Sequence, residues 1–107
     1  MRRIIQLSLL ALMSSSASAQ PGLEPAEQRG LTIARAYCAR CHSTDRVTPS
    51  PLAIAPPFRT LHKKYPVENL EEAMAEGIST GHPTMPEFRF DVDQINDFIA
   101  FLKSLER

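Results

Sequence analysis

Apolar positions recur at helical spacing in three stretches of the 107-residue chain. In PAEQRGLTIARAYCARC, residues 25–41, the positions Gly30, Ile33, Ala34, Tyr37, Cys38 and Cys41 fall on one face of a helix. Pro25 suits its first turn, where a missing N–H costs nothing. In PVENLEEAMAEG, residues 66–77, Val67, Leu70 and Met74, with Ile78 just beyond, line one side, the glutamates lie elsewhere, and Gly77 is placed to end the helix. The third stretch, DVDQINDFIAFLKSLER, carries a stripe of Val92, Ile95, Phe98, Ile99, Leu102 and Leu105. Asp91 with Gln94 three residues later reads as a capping box at its start. Between these stretches lie TPSPLAIAPPF and GHPTMPEF, where Pro49, Pro51, Pro56, Pro57, Pro83 and Pro86 exclude regular helix. No segment alternates with period two. The expectation is an all-α domain with two structured loops.

A different pattern opens the chain. Arg2 and Arg3 precede the apolar run Ile4 to Met13, broken only by Gln6 and Ser8, and small residues follow to Ala17-Ser18-Ala19. This is the layout of a secretory signal peptide cleaved after Ala19, so residues 1–19 are set apart and residues 20–107 form the expected domain. The run is shorter than the roughly 20 apolar residues needed to span a bilayer, so the mature protein is expected to be exported, periplasmic and without stable membrane insertion.

The mature chain would have 88 residues, enough for one domain with a marginal core that calls for a staple or a cofactor. Without Arg2 and Arg3, ten basic side chains face twelve acidic ones, and no basic stripe remains that would engage nucleic acid.

Both cysteines fall in CARCH, residues 38–42. A structural zinc site needs four ligands, which would recruit a distant histidine or carboxylate to Cys38, Cys41 and His42. A thioredoxin-type pair belongs to a βαβ pattern absent here. A disulfide across so small a loop would remove little entropy from the unfolded chain. C-x-x-C-H is, in contrast, the attachment signature of c-type haem. Cys38 and Cys41 each add to a vinyl group, and His42 is carried to the ring face as an iron ligand. Candidates for the sixth position are Met85, His82, His62 and Met74. Met74 lies on an apolar stripe and reads as core, and His62 beside Lys63 and Lys64 reads as a surface group. Met85, bracketed by Pro83 and Pro86, sits in a stiffened loop long enough in reach to cover the opposite haem face.

From CARCH, from GHPTMPEF, and from the order helix, haem motif, proline loop, helix, methionine loop, helix, the chain resembles the class I monohaem cytochromes c over about residues 24–106. The resemblance implies one covalent haem c with Met85 as sixth ligand. It implies that the first and last helices cross with Gly30 against Phe98, Phe101 and Leu102. It also implies that a proline carbonyl of APPF, Pro56 ahead of Pro57, accepts a hydrogen bond from His42.

With His42 and Met85 both bound, no iron position is open to substrate, so the expected role is single-electron transfer and not enzymatic catalysis. Methionine sulfur and burial both favour ferrous iron. The expected partners are a dehydrogenase or quinol-oxidising complex on one side and a terminal oxidase or reductase on the other. A dedicated electron-accepting subunit of one dehydrogenase is the alternative. A five-coordinate haem protein that binds ligands would require Met85 to be unbound. Arg40, Arg59, Lys63, Lys64 and Arg89 are candidates for a local basic rim.

Overall fold

The computed structural model describes residues 22–78 and 84–107. The proposed signal segment, together with Gly81, His82 and Pro83 of the methionine loop, lies outside the described residues.

The architecture is helical, with no strand among the described residues. Helix α1 spans Pro25–Tyr37, α2 spans Leu70–Glu76 and α3 spans Val92–Ser104. Two 3₁₀ helices, Phe58–Lys63 and Val67–Asn69, lead into α2. The start of α3 follows the sequence pattern: the Asp91 carboxylate accepts from Gln94 N at 2.8 Å, and the Gln94 side chain accepts from Asp91 N at 3.1 Å. The two bonds satisfy donors that a helix start otherwise leaves open. Gly77, with φ +107°, ends α2 in a conformation that side-chain-bearing residues rarely adopt.

The core forms where α1 packs on α3. Leu31 and Ala34 of α1 are buried against Phe98, Phe101 and Leu102 of α3, and Phe58, Leu61, Val67 and Met74 extend the same cluster. At the closest approach Gly30 faces the Asp97 carbonyl and Phe101, leaving no room for a Cβ. The ends are tied by Arg107, which binds the buried Glu27 carboxylate through two bonds of 2.8 and 2.9 Å.

Three features differ from the sequence pattern. Helix α1 stops at Tyr37 instead of running through Cys41, because the next residues are drawn into bonds with the proline loop: Ser43 N donates to Ser50 Oγ at 3.0 Å and Phe58 N to Ser43 O at 3.0 Å. The buried face of α1 is Glu27, Gly30, Leu31 and Ala34, while Tyr37 stays 50% exposed. Val92 opens the α3 stripe but is 70% exposed, since the helix start lies beside an acidic groove with Glu68 and Glu72 and not on α1.

Candidate functional site

Beyond Tyr37 the chain continues as hydrogen-bonded turns. Cys41 N and His42 N both donate to Cys38 O, at 3.1 and 2.9 Å. One tight turn therefore carries both thiols and the imidazole. His42 is fixed next: its Nδ1 lies 2.8 Å from Pro56 O. A carbonyl can only accept, so Nδ1 carries the proton and Nε2 keeps its lone pair. Pro57 O is used otherwise, accepting from Thr60 Oγ1 at 2.8 Å. The face of the imidazole stacks on Phe58, with centroids 4.8 Å apart and planes at 29°.

The loop between His42 and Pro56 is pinned by side chains, as a proline-containing segment lacking backbone donors requires. Asp45 accepts from the Thr48 hydroxyl, from Thr48 N at 2.7 Å and from Val47 N at 2.8 Å. These bonds, led by the Thr48 hydroxyl, hold its carboxyl down at about 2. Arg59 turns inward and donates to Thr48 O at 2.7 Å and to Ser43 Oγ at 3.2 Å. Arg46 reaches α3, donating to Ser104 O and, at 2.6 Å, to Arg107 O. That contact caps carbonyls at the helix C-terminus with a cation, the favourable sign there.

The opposite wall is the return from α2 to α3. Ile78 N donates to Phe88 O at 3.0 Å, Phe90 N to Met74 O at 3.1 Å, and Arg89 to Glu76 O at 2.8 Å. Tyr37 meets Phe88 and Phe90 edge to face, at 6.0 and 5.4 Å between centroids.

Between the walls lies a cavity of about 740 Å³. It is lined by Cys38, Cys41, His42, Pro56 and Met85, among mainly apolar neighbours that include Tyr37, Leu52, Phe58, Leu61, Leu70 and Phe98. That volume is in the range of small-molecule and cofactor pockets. Two thiols, an imidazole with a free Nε2 and a thioether sulfur on one apolar cavity fit a flat, metal-bearing macrocycle. Both thiols are free. Burial, with the nearby Cys41 adding to it, pushes the Cys38 thiol up to about 12, so it is no poised thiolate of the thioredoxin kind. Among the described residues no three His, Cys, Asp or Glu side chains cluster to hold a bare metal ion.

Of the candidates for a sixth ligand, Met85 lines the cavity, Met74 is buried in the core outside it, and His62 is exposed on the first 3₁₀ helix. His82 lies outside the described residues. Ile33, Met74, Ile95 and Ile99 pack in or against the core and do not line the cavity. Tyr65 does line it, together with Arg35 and Arg40. Tyr65 follows Phe58 and Leu61 at steps of three and four, a signal that was present in the sequence. The five basic residues grouped above do not act as one row: Arg59 and Arg89 bind backbone carbonyls, while Arg40 stands at the cavity and Lys63 and Lys64 are exposed.

Charge is segregated along the chain. Residues 28–65 carry Arg29, Arg35, Arg40, Arg46, Arg59, Lys63 and Lys64 against Asp45 alone. Residues 66–97 carry Glu68, Glu71, Glu72, Glu76, Glu87, Asp91, Asp93 and Asp97 against Arg89 alone. No helix among the described residues is long and apolar enough to cross a membrane.

A family model described as Cytochrome c matches residues 27–106. No curated protein and no solved structure matches the chain.

Proposed function

The chain belongs to the cytochrome c family, and on that premise we propose that it is a periplasmic one-electron carrier whose haem c is bound through Cys38 and Cys41 and ligated by His42 and Met85. Family membership brings a covalently bound haem c and haem-based electron transfer with redox partner proteins. The haem supplies a one-electron iron couple; the residues around it decide how that couple behaves. The observation that carries the ligand set is the shared cavity, with His42 held by Pro56 and Met85 facing the same space.

Each residue has a distinct task. Donation from Nδ1–H to Pro56 O fixes the tautomer and raises the basicity of Nε2, which strengthens it as a ligand. Met85 offers a soft sulfur, which favours the reduced iron over what a second histidine would give. Phe58, Leu61, Leu70 and Phe98 keep water from the site, and a dry surround disfavours the extra positive charge of the ferric state. Were His42 and Met85 both to ligate the iron, no place there would be left for a substrate, which favours a protein that carries electrons over one that catalyses a reaction of its own. Residues 1–19 act as the cleaved export signal in this reading, which delivers reduced thiols to haem attachment outside the cytoplasm.

The test is an optical spectrum of the purified protein. A weak near-infrared band of methionine-bound ferric haem, with no reaction of the reduced protein with carbon monoxide, is expected. Met85→Ala should abolish the band, lower the potential and admit carbon monoxide, and His82→Ala should leave all three unchanged. A Met85→Ala variant that keeps the band would remove Met85 from the site.

A further inference from the structure

We propose that Phe58 is a positioning residue for the axial imidazole, fixing the plane of the His42 ring about its bond to the iron. The inference rests on His42 being the haem ligand, as proposed above.

A hydrogen bond at Nδ1 holds an imidazole by one edge. It sets which nitrogen faces the iron and restrains the ring at one point of its rim. A flat side chain against the face adds a second restraint, on swing of the ring. Here both restraints come from one short segment: Pro56 takes the edge at 2.8 Å, and two residues later Phe58 takes the face at 4.8 Å between centroids and 29° between planes.

Phe58 is itself immobilised. It is buried, and two consecutive prolines precede it, with Pro57 at φ −59°. Its backbone N donates to Ser43 O at 3.0 Å, which ties it to the residue after the histidine it stacks on. Its ring meets Phe98 of α3 edge to face, with centroids 5.8 Å apart and planes at 87°. Phe98 also contacts Phe90, with centroids 6.4 Å apart, on the segment returning from Met85. The ligand plane is therefore referred to α3, the most deeply buried helix, through two rings. A leucine would fill much of the same space, but it offers no flat face.

The principal g-values of low-spin ferric haem, and the spread of its methyl proton shifts, depend on the orientation of the axial ligand planes. They read the proposed role directly, while a residue that only fills the core would alter stability and leave them alone. The variants are Phe58→Leu, Phe98→Leu, which removes the edge contact but leaves the stacked ring, and Val67→Ala as a core control outside the cavity. All are measured as haem-loaded ferric protein by electron paramagnetic resonance and proton NMR. Phe58→Leu is expected to shift the g-values and reorder the methyl resonances, Phe98→Leu to do so in the same direction by less, and Val67→Ala to lose stability with wild-type spectra. Unmoved spectra in Phe58→Leu, or an equal shift in Val67→Ala, would overturn the inference. If Phe58→Leu fails to take up haem, Phe98→Leu decides it by the same criterion. A wild-type protein that is not low-spin and six-coordinate would overturn the ligation itself, and this inference with it; a low-spin wild type with an unmoved variant overturns the stack alone.

Discussion

Replacing Gly30 by alanine tests how closely α1 and α3 must approach. An added Cβ would lie 2.6 Å from Phe101 Cβ, 2.7 Å from the Asp97 carbonyl carbon, and in still tighter contact with the Asp97 carbonyl oxygen. Carbon atoms at rest are separated by about 3.5–4.0 Å, so the helices must part by roughly 1 Å at this point. Backbone and Cβ atoms have no rotamers, and no side-chain movement can absorb the clash. A gap of that size forfeits about a quarter to a half of each contact across it. The contacts at stake are those of Leu31 and Ala34 with Phe98, Phe101 and Leu102.

Overpacking of a tight site costs about 1–3 kcal/mol, and a backbone obstruction belongs at the upper end. Alanine gains back about 1 kcal/mol of helix propensity over glycine. The net is a loss of about 2 kcal/mol, which for a domain of this size lowers the melting temperature by roughly 8–16 °C. The assay is thermal unfolding of the haem-loaded ferric protein followed by far-ultraviolet circular dichroism. Thr32→Ala, exposed on the same helix, serves as the control and should be neutral or slightly stabilising. Because Gly30 does not line the cavity, the visible spectrum should not change. A Gly30→Ala protein that melts at or above the wild-type temperature would refute the close-approach reasoning.

Asp45→Asn should destabilise the protein near neutral pH, and the gap should close in acid. The folded carboxyl titrates at about 2 against an ordinary 3.8, so its contribution is complete above the ordinary value and disappears as pH falls through the folded one. Urea midpoints for the two proteins should therefore converge between about pH 4 and pH 2, and a constant difference across that range would contradict this. The double variant Cys38→Ala, Cys41→Ala should lack covalent haem and leave the apolar cavity unsupported. Weak near-ultraviolet dichroism with strong binding of a hydrophobic dye is expected, whereas a sharp native-like melt would show that the helices hold without the cofactor. Arg40, exposed at the cavity, should make oxidation by an anionic reagent such as ferricyanide slow as salt is added, although residues 20–107 are formally acidic. Stopped-flow traces at several ionic strengths check this, and Arg40→Gln should weaken the salt dependence; a rate that rises with salt would mean the net charge governs approach.

Local features were legible in the sequence because they depend on neighbours a few residues away. The Asp91–Gln94 box, the α3 stripe from Ile95 onward and the stop at Gly77 all follow from spacing and backbone preference. So does the grouping of two thiols and an imidazole in CARCH, which packs the candidate attachment chemistry into five residues. Length also pointed to a staple or a cofactor for so short a chain, and the cavity beside these residues has the volume for a cofactor.

What the sequence left undetermined depended on groups distant along the chain. Helix α1 could have run to Cys41 on periodicity alone; the bonds from Ser43 N to Ser50 Oγ and from Phe58 N to Ser43 O draw the chain away early. Val92 had the right phase for the core, but the start of α3 lies beside the acidic groove with Glu68 and Glu72 and leaves it exposed. Met74 and Met85 are the same residue type, and only folding puts one in the core and the other at the cavity. Arg46, Arg59 and Arg107 find their partners only in the fold: carbonyls at the C-terminal end of the chain for Arg46, loop carbonyls for Arg59, and the Glu27 carboxylate of α1 for Arg107. The stack of Phe58 on His42 exists because two prolines and Phe98 fix its ring there. Periodicity determines which residues can share a face; which partner meets that face is decided when distant segments close around a common space.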